Sequence, residues 1–304
     1  MKRKTLILVL AMLSTLPLLA QSTAAEPPLS ARGYYFNFAT IGAHDSAAGY
    51  SMQIIPAIGR DFQGRFTVEL GAPFYPLAGS HVTSSTTVRG VTTTTTSNVT
   101  AVWGDMYAVF YGNFKAGPAR YKLTLKGTAP TGDTASGIST GRATWNWANH
   151  LEVGKNIAAY VDFGLANTLA DSTQYHRSYT TLGYVVPMAA GLNIPLGKRL
   201  ALDASSYYDL PFGDQKLYSR TVSRNSALPV GTRLGGGERL NQYLLQGGAS
   251  LTEDHGYTGS VSYQATRRVG LEVSYNRSIP YALDTVTAAL SVRLGHSAEE
   301  KPGQ

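Results

Sequence analysis

Val269-Gly270-Leu271-Glu272-Val273-Ser274-Tyr275-Asn276, followed by Thr285-Val286-Thr287-Ala288-Ala289-Leu290-Ser291-Val292-Arg293-Leu294, is the stretch on which the reading of this chain turns. A period of two puts successive side chains on opposite faces of a sheet. One face then carries Val269, Leu271, Val273, Tyr275, Val286, Ala288, Leu290, Val292 and Leu294. The other carries Gly270, Glu272, Ser274, Asn276, Thr285, Thr287, Ala289, Ser291 and Arg293. A strand that is apolar on one side and charged or hydroxylated on the other, over about ten residues, is what a membrane β-barrel requires.

The beginning of the chain agrees. Lys2, Arg3 and Lys4 precede an apolar run from Leu6 to Leu19, and the small residues Ser22, Thr23, Ala24 and Ala25 follow. This is the layout of a secretory signal, expected to occupy residues 1–25. Its loss removes three basic residues, so the formal charge falls from +7 to +4. The remaining basic residues are scattered, without a Lys/Arg block, which argues against nucleic acid as a partner. The absence of cysteine excludes disulfides, thiolate metal sites and thiol catalysis. After residue 25 no run approaches the roughly 20 apolar residues of a membrane helix. An exported chain that alternates in this way is expected in the outer membrane of a Gram-negative bacterium, in contact with its lipid.

Working outward, the same alternation recurs. Phe66, Val68, Leu70, Ala72 and Phe74 oppose Glu69. Tyr121, Leu123 and Leu125 oppose Lys122 and Lys126. Trp145, Trp147, Leu151 and Val153 oppose Glu152, and Phe163 and Leu165 oppose Asp162. Aromatic residues stand near the ends of the apolar stripes, and connections alternate short and long, as the two rims of a membrane barrel demand. A secreted β-sandwich is the competing reading, but a dry sandwich core has no room for that many inward charges. The expected fold is all-β, a transmembrane antiparallel up-and-down barrel. Twelve strands are predicted between Ser51 and Leu294, among them one over Tyr243–Ser250. A further segment at Tyr34–Thr40 would make thirteen, and a barrel with both ends on one side needs an even number. Twelve is the expected count, with fourteen as the alternative. The divisions are residues 1–25 as signal, 26–48 as an N-terminal segment with one candidate strand, 49–295 as the barrel and 296–304 as a polar tail. The Thr/Ser-rich run Ser84–Thr100 reads as a mobile loop or as frayed strand extensions.

Three segments carry a resemblance. Ile55-Pro56-Ala57 leads into Gly71-Ala72-Pro73-Phe74-Tyr75. Gly104-Asp105 enters a strand, and Ala119–Asp133 ends in Pro130-Thr131-Gly132-Asp133. Ser262-Tyr263 precedes the turn at Arg267 and Arg268. The chain resembles the outer-membrane barrels grouped as the "MetA-pathway of phenol degradation" family. The resemblance implies a transporter or channel for small, hydrophobic or aromatic solutes. Such barrels commonly end on an aromatic residue, whereas here Leu294 is followed by a polar tail.

Little else points to chemistry. The six histidines show no metal spacing. His44-Asp45-Ser46 and His176-Arg177-Ser178 are the only esterase-like candidates, and Gly235-Gly236-Gly237 has no following helix to make it a phosphate cradle. No catalytic residue, metal or cofactor is expected. The candidate functional residues are the lumen charges Glu69, Lys122, Lys126, Glu152, Asp162, Asp203, Glu272 and Arg293. They serve either as a polar path for a solute or as an ion network that fills the lumen of a non-conducting surface barrel.

Overall fold

The stretch that opens the sequence reading forms a hairpin in the computed structural model, which describes residues 33–62, 65–89, 91–169, 171–222, 224, 240 and 242–295. The expected signal segment, the polar tail and Gly235-Gly236-Gly237 lie outside the described residues. The strands are β1 (Gly33–Asp45), β2 (Gly49–Phe62), β3 (Phe66–Gly71), β4 (Phe74–Val88), β5 (Val91–Trp103), β6 (Tyr107–Ala116), β7 (Ala119–Thr128) and β8 (Thr144–Gly154). They continue as β9 (Ala158–Ala166), β10 (Tyr179–Pro195), β11 (Leu200–Ser219), β12 (Leu244–Gly247), β13 (Asp254–Gln264), β14 (Val269–Ser278) and β15 (Leu283–Gly295).

Twelve of these close an antiparallel ring in the order β1-β15-β14-β13-β11-β10-β9-β8-β7-β6-β3-β2, with β2 returning to β1. β4, β5 and β12 stand outside it. The seam is long: β1 pairs with β15 from Tyr35↔Gly295 to Asp45↔Thr285. Closure removes the free edges of the ring itself, the only way a sheet can sit in lipid with its backbone groups satisfied.

The parity conflict in the sequence resolves here. The Tyr34–Thr40 segment is part of β1 and closes the ring. Tyr243–Ser250 is not a spanning strand; only Leu244–Gly247 pairs, with the far end of β11 at Gln215–Tyr218. The first part of 210–238 extends β11 to Ser219, and residues 225–238 lie outside the described residues. Ser84–Thr100 is neither bare loop nor ring strand: it belongs to the β4–β5 hairpin, which rises above the barrel from β3 and β6.

The outside is apolar and uncovered. Leu271, Val273, Val286 and Leu294 are 45%, 54%, 47% and 50% exposed, while Glu272, Ser274 and Thr287 between them are buried. Neighbouring strands keep the faces in step, since Leu271 pairs with Leu290 and Val273 with Ala288. Aromatic side chains form two belts. At the end with short turns, Phe66 packs on Phe110 and Phe114, and Phe114 on Tyr121. At the other end Trp145, Tyr184 and Phe212 make a row, and Tyr257 meets Tyr275. An exposed aliphatic band between aromatic belts is stable only against hydrocarbon.

The two rims differ. Arg65 and residues 117–118, 155–157, 196–199 and 265–268 belong to the turn end, where the described chain also begins and finishes. The loop end carries the β4–β5 hairpin and the described residues of the connections 129–143, 167–178 and 220–253. The hairpin crosses that mouth: Val82 N–H donates to Thr221 O at 2.7 Å, just past β11, six places round the ring from β3. Beneath it Tyr75, Ala78 and Ile138 bury one another, and Tyr179, Leu217, Leu240, Tyr281 and Leu283 belong to a second apolar cluster.

Candidate functional site: the lumen

Inside the ring, three tyrosines (Tyr35, Tyr107 and Tyr160) are laid flat against the wall by glycines on the adjoining strand, Tyr160 by Gly191. Tyr35 pairs across to Gly59, and Tyr107 to Gly71. A β-carbon on Gly59 would lie 2.2 Å from the Tyr35 ring, and one on Gly71 2.4 Å from the Tyr107 ring. Only glycine leaves room for the ring there. Both hydroxyls then reach the same carboxylate, each donating to Glu69 at 3.0 Å. Tyr160, on β9, donates to Asp203 at 2.6 Å. Cations lie over the rings: Arg293 over Tyr35 at 3.7 Å, Lys126 over Tyr107 at 4.6 Å and Lys122 over Tyr111 at 4.9 Å.

The connection 167–178 does not stay at the rim but folds into the lumen, against the wall built by β13, β14 and β15. Thr173 and Gln174 donate to Glu272 at 3.0 and 2.8 Å, and Gln174 also to Ser260 at 3.1 Å. Ser274 and Thr287 return bonds to the loop carbonyls of Gln174 and Thr173, at 2.8 and 2.7 Å. Its other flank is held by charge. Arg220 donates to Asp171 at 2.6 Å and to Arg177 O at 2.9 Å, and it also bonds Thr180. His176 lies 3.0 Å from Asp171, and Arg177 pairs with Asp209 at 3.1 Å. Burial alone would raise the Asp171 carboxyl, but Arg220 and His176 hold it well below the usual carboxylate range.

What remains open is a cavity of about 420 Å³. It is lined from Arg267 and Arg268 at the turn end to Tyr75, Asp105 and Ile138 at the loop end, and Asp171, Ser172 and Thr173 of the inward loop also border it. Glu69, Lys122, Lys126, Asp162 and Arg293 border it, with Tyr35, Tyr107 and Tyr111. Glu152, Asp203 and Glu272 point inward but do not border it. Arg120 and His150 cover Glu152, the Tyr160 hydroxyl engages Asp203, and the loop sits on Glu272.

No family model matches the chain, and no curated protein matches it by sequence. Solved structures do. The COG4313 outer-membrane channel from Pseudomonas putida F1 superposes with a TM-score of 0.52 at 10% identity, covering 89% of this chain and 100% of that one. The KdgM porin gives 0.45 at 7% identity, over 84% and 98%. At such identity the likeness to the first is one of fold.

The esterase-like segments do come together, but without a nucleophile and base. Ser178 donates to Asp45, which also accepts from Thr285 and from the Ala47 and Ala48 amides. His176 is turned to Asp171, and His44 stacks on Tyr50. Among the described residues no serine hydroxyl bonds a histidine. These groups pin the inward loop to the β1–β2 turn. No group of three His, Cys, Asp or Glu among the described residues is placed to hold a metal.

The sequence reading missed the inward loop, with Asp171, Arg177 and Arg220, and the cavity tyrosines. Tyr107 and Tyr111 had a signal: they fall on the face opposite Ala108 and Phe110. The loop had none, since its partners Arg220 and Glu272 lie 49 and 99 residues from Asp171 and Thr173.

Proposed function

We propose that this chain is a passive outer-membrane channel for small solutes, exported to the outer membrane of a Gram-negative bacterium and contacting its lipid directly. The observation that carries the reading is the charged, tyrosine-lined cavity, which is lined from the turn end to the loop end and narrowed by the inward loop 167–178. Such a lumen has the polar lining that solute passage uses, and the inward loop and the β4–β5 hairpin are the elements that restrict passage through the loop end. The resemblance to the phenol-degradation barrels supports a solute with hydrophobic or aromatic character, and the pairs Glu69–Tyr107 and His150–Asp162 are then part of its path.

The alternative is a non-conducting surface barrel, favoured by the density of bonds on the loop. Planar-bilayer recording of the purified, folded protein separates the two. Discrete conductance steps are expected; a folded barrel that shows none, and takes up no solute in vesicles, overturns the channel. An esterase has the least support, given the serine and histidine partners above.

A further inference from the structure

The cavity's carboxylates are already engaged and several of its cations are not. Glu69 receives two tyrosine hydroxyls, and Asp162 lies 2.7 Å from His150. Asp171 is held by Arg220, and Asp105 accepts the Gly132 amide at 2.8 Å. By contrast Lys126, Arg267 and Arg268 have no carboxylate within 4.0 Å among the described residues, and all three border the cavity. Lys126 lies over the Tyr107 ring. A cation on a confined, partly dry wall has lost hydration and regains it from an anion. The arginine pair at the turn end adds a positive field that draws anions in.

We propose that this cavity binds small organic acids with an aromatic body: the carboxylate on Lys126, the ring against Tyr107 and Tyr111, with Arg267 and Arg268 at the entrance. Tyrosine faces supply the apolar and edge-to-face contacts that a flat ring prefers. A cavity of about 420 Å³ is ample for a single-ring acid. The uncharged analogue would keep the ring contacts and lose the charge-assisted bond, worth about tenfold in affinity or more. This assignment rests on the reading of the cavity as the solute path.

The test is calorimetric titration of the full, refolded protein in non-ionic micelles with sodium benzoate, against benzyl alcohol and benzylamine. Benzoate is expected to bind about tenfold tighter than benzyl alcohol, benzylamine weakest of all, and the benzoate signal should weaken as salt is raised. Lys126→Met should erase the preference and Lys126→Arg should keep it. Equal binding of benzoate and benzyl alcohol, or a Lys126→Met protein that is folded by its heat-shifted gel mobility yet unchanged in preference, overturns the proposal. Should Lys126→Met not fold, the three ligands and the salt series on the unaltered protein still decide. Reversal potentials in a potassium chloride gradient separate the two readings. Conductance without anion preference overturns this assignment and leaves the channel; benzoate binding without conductance supports the assignment and overturns the channel.

Discussion

Asp171→Asn addresses the latch directly. Asp171 is the common partner of Arg220 and His176, at 2.6 and 3.0 Å, and both side chains are nearly sealed from solvent. Removing one member of a buried ion pair costs about 3–5 kcal/mol, because the other charge is left uncompensated. The amide still accepts one bond from Arg220, and Arg220 keeps Thr180 and the Arg177 carbonyl, so about 3 kcal/mol is the reasonable figure for this site. If that loss falls on the loop-in state, the ratio of loop-in to loop-out shifts by about a hundredfold, at 1.4 kcal/mol per decade. Single-channel recording reads this as a rise in open occupancy, with longer or more frequent openings. Heat-modifiable gel migration, run in parallel, checks that the ring is intact. The reasoning is refuted if Asp171→Asn is folded, measurably less stable, and conducts like the parent. The charge network would then brace the barrel without governing passage. Gln174→Ala, which strips the contacts to Glu272 and Ser260, is the second variant on the same scale.

Other predictions follow from the same geometry. Because the Asp171 carboxyl is depressed in the folded state, its contribution is fully present above the unfolded value of about 4 and is lost only as pH falls further toward the folded one; the difference in open occupancy between Asp171→Asn and the parent should therefore be the same at pH 8 and pH 5, and a difference that vanishes on such mild acidification would contradict it. Val273→Arg places a guanidinium on the exposed aliphatic band between Val261 and Ala288, and should cost about 2–4 kcal/mol by denaturant unfolding from lipid vesicles. Gly71→Ala puts a methyl 2.4 Å from the Tyr107 ring; it should cost about 1–3 kcal/mol, and adding Tyr107→Ala should restore much of it in the same unfolding assay.

Much of the wall was readable from the chain because a period-two rule acts locally. Where one face meets hydrocarbon and the other a lumen, Leu271, Glu272 and Val273 cannot exchange roles without a register slip that would put every charge in lipid. The same rule misleads where alternation is short. Tyr243–Ser250 alternates as cleanly as a spanning strand, yet Leu244–Gly247 has only the end of β11 to pair with, and it lies above the ring. Nor does alternation say what covers an inward charge. Glu69 and Glu272 look alike in sequence; one faces a cavity through two tyrosines, and the other is capped by a loop drawn from the β9–β10 connection.

Barrel size explains why such a loop is present at all. Eight strands enclose a space that side chains alone can fill, while sixteen or more leave a wide aqueous channel. Twelve fall between, and the inward side chains divide the work. On β13, β14 and β15 they are small: Thr258 and Ser260, then Gly270, Ser274 and Asn276, then Thr285, Thr287, Ala289 and Ser291. That wall leaves room for a folded segment and offers it hydroxyls and one carboxylate, which Thr173 and Gln174 take up. On β1, β6 and β7 they include Tyr35, Tyr107, Tyr111, Lys122 and Lys126, which line the remaining space. The small inner face of the 269–294 hairpin is therefore the seat of the loop, and the cavity lies against the wall with the large residues. A substitution that enlarges Ser274 or Thr287 should expel the loop, whereas one that shrinks Tyr107 or Tyr111 should widen the cavity and leave the loop in place. The two classes separate in bilayer recordings: the first changes how often the channel opens, the second how much current passes when it does.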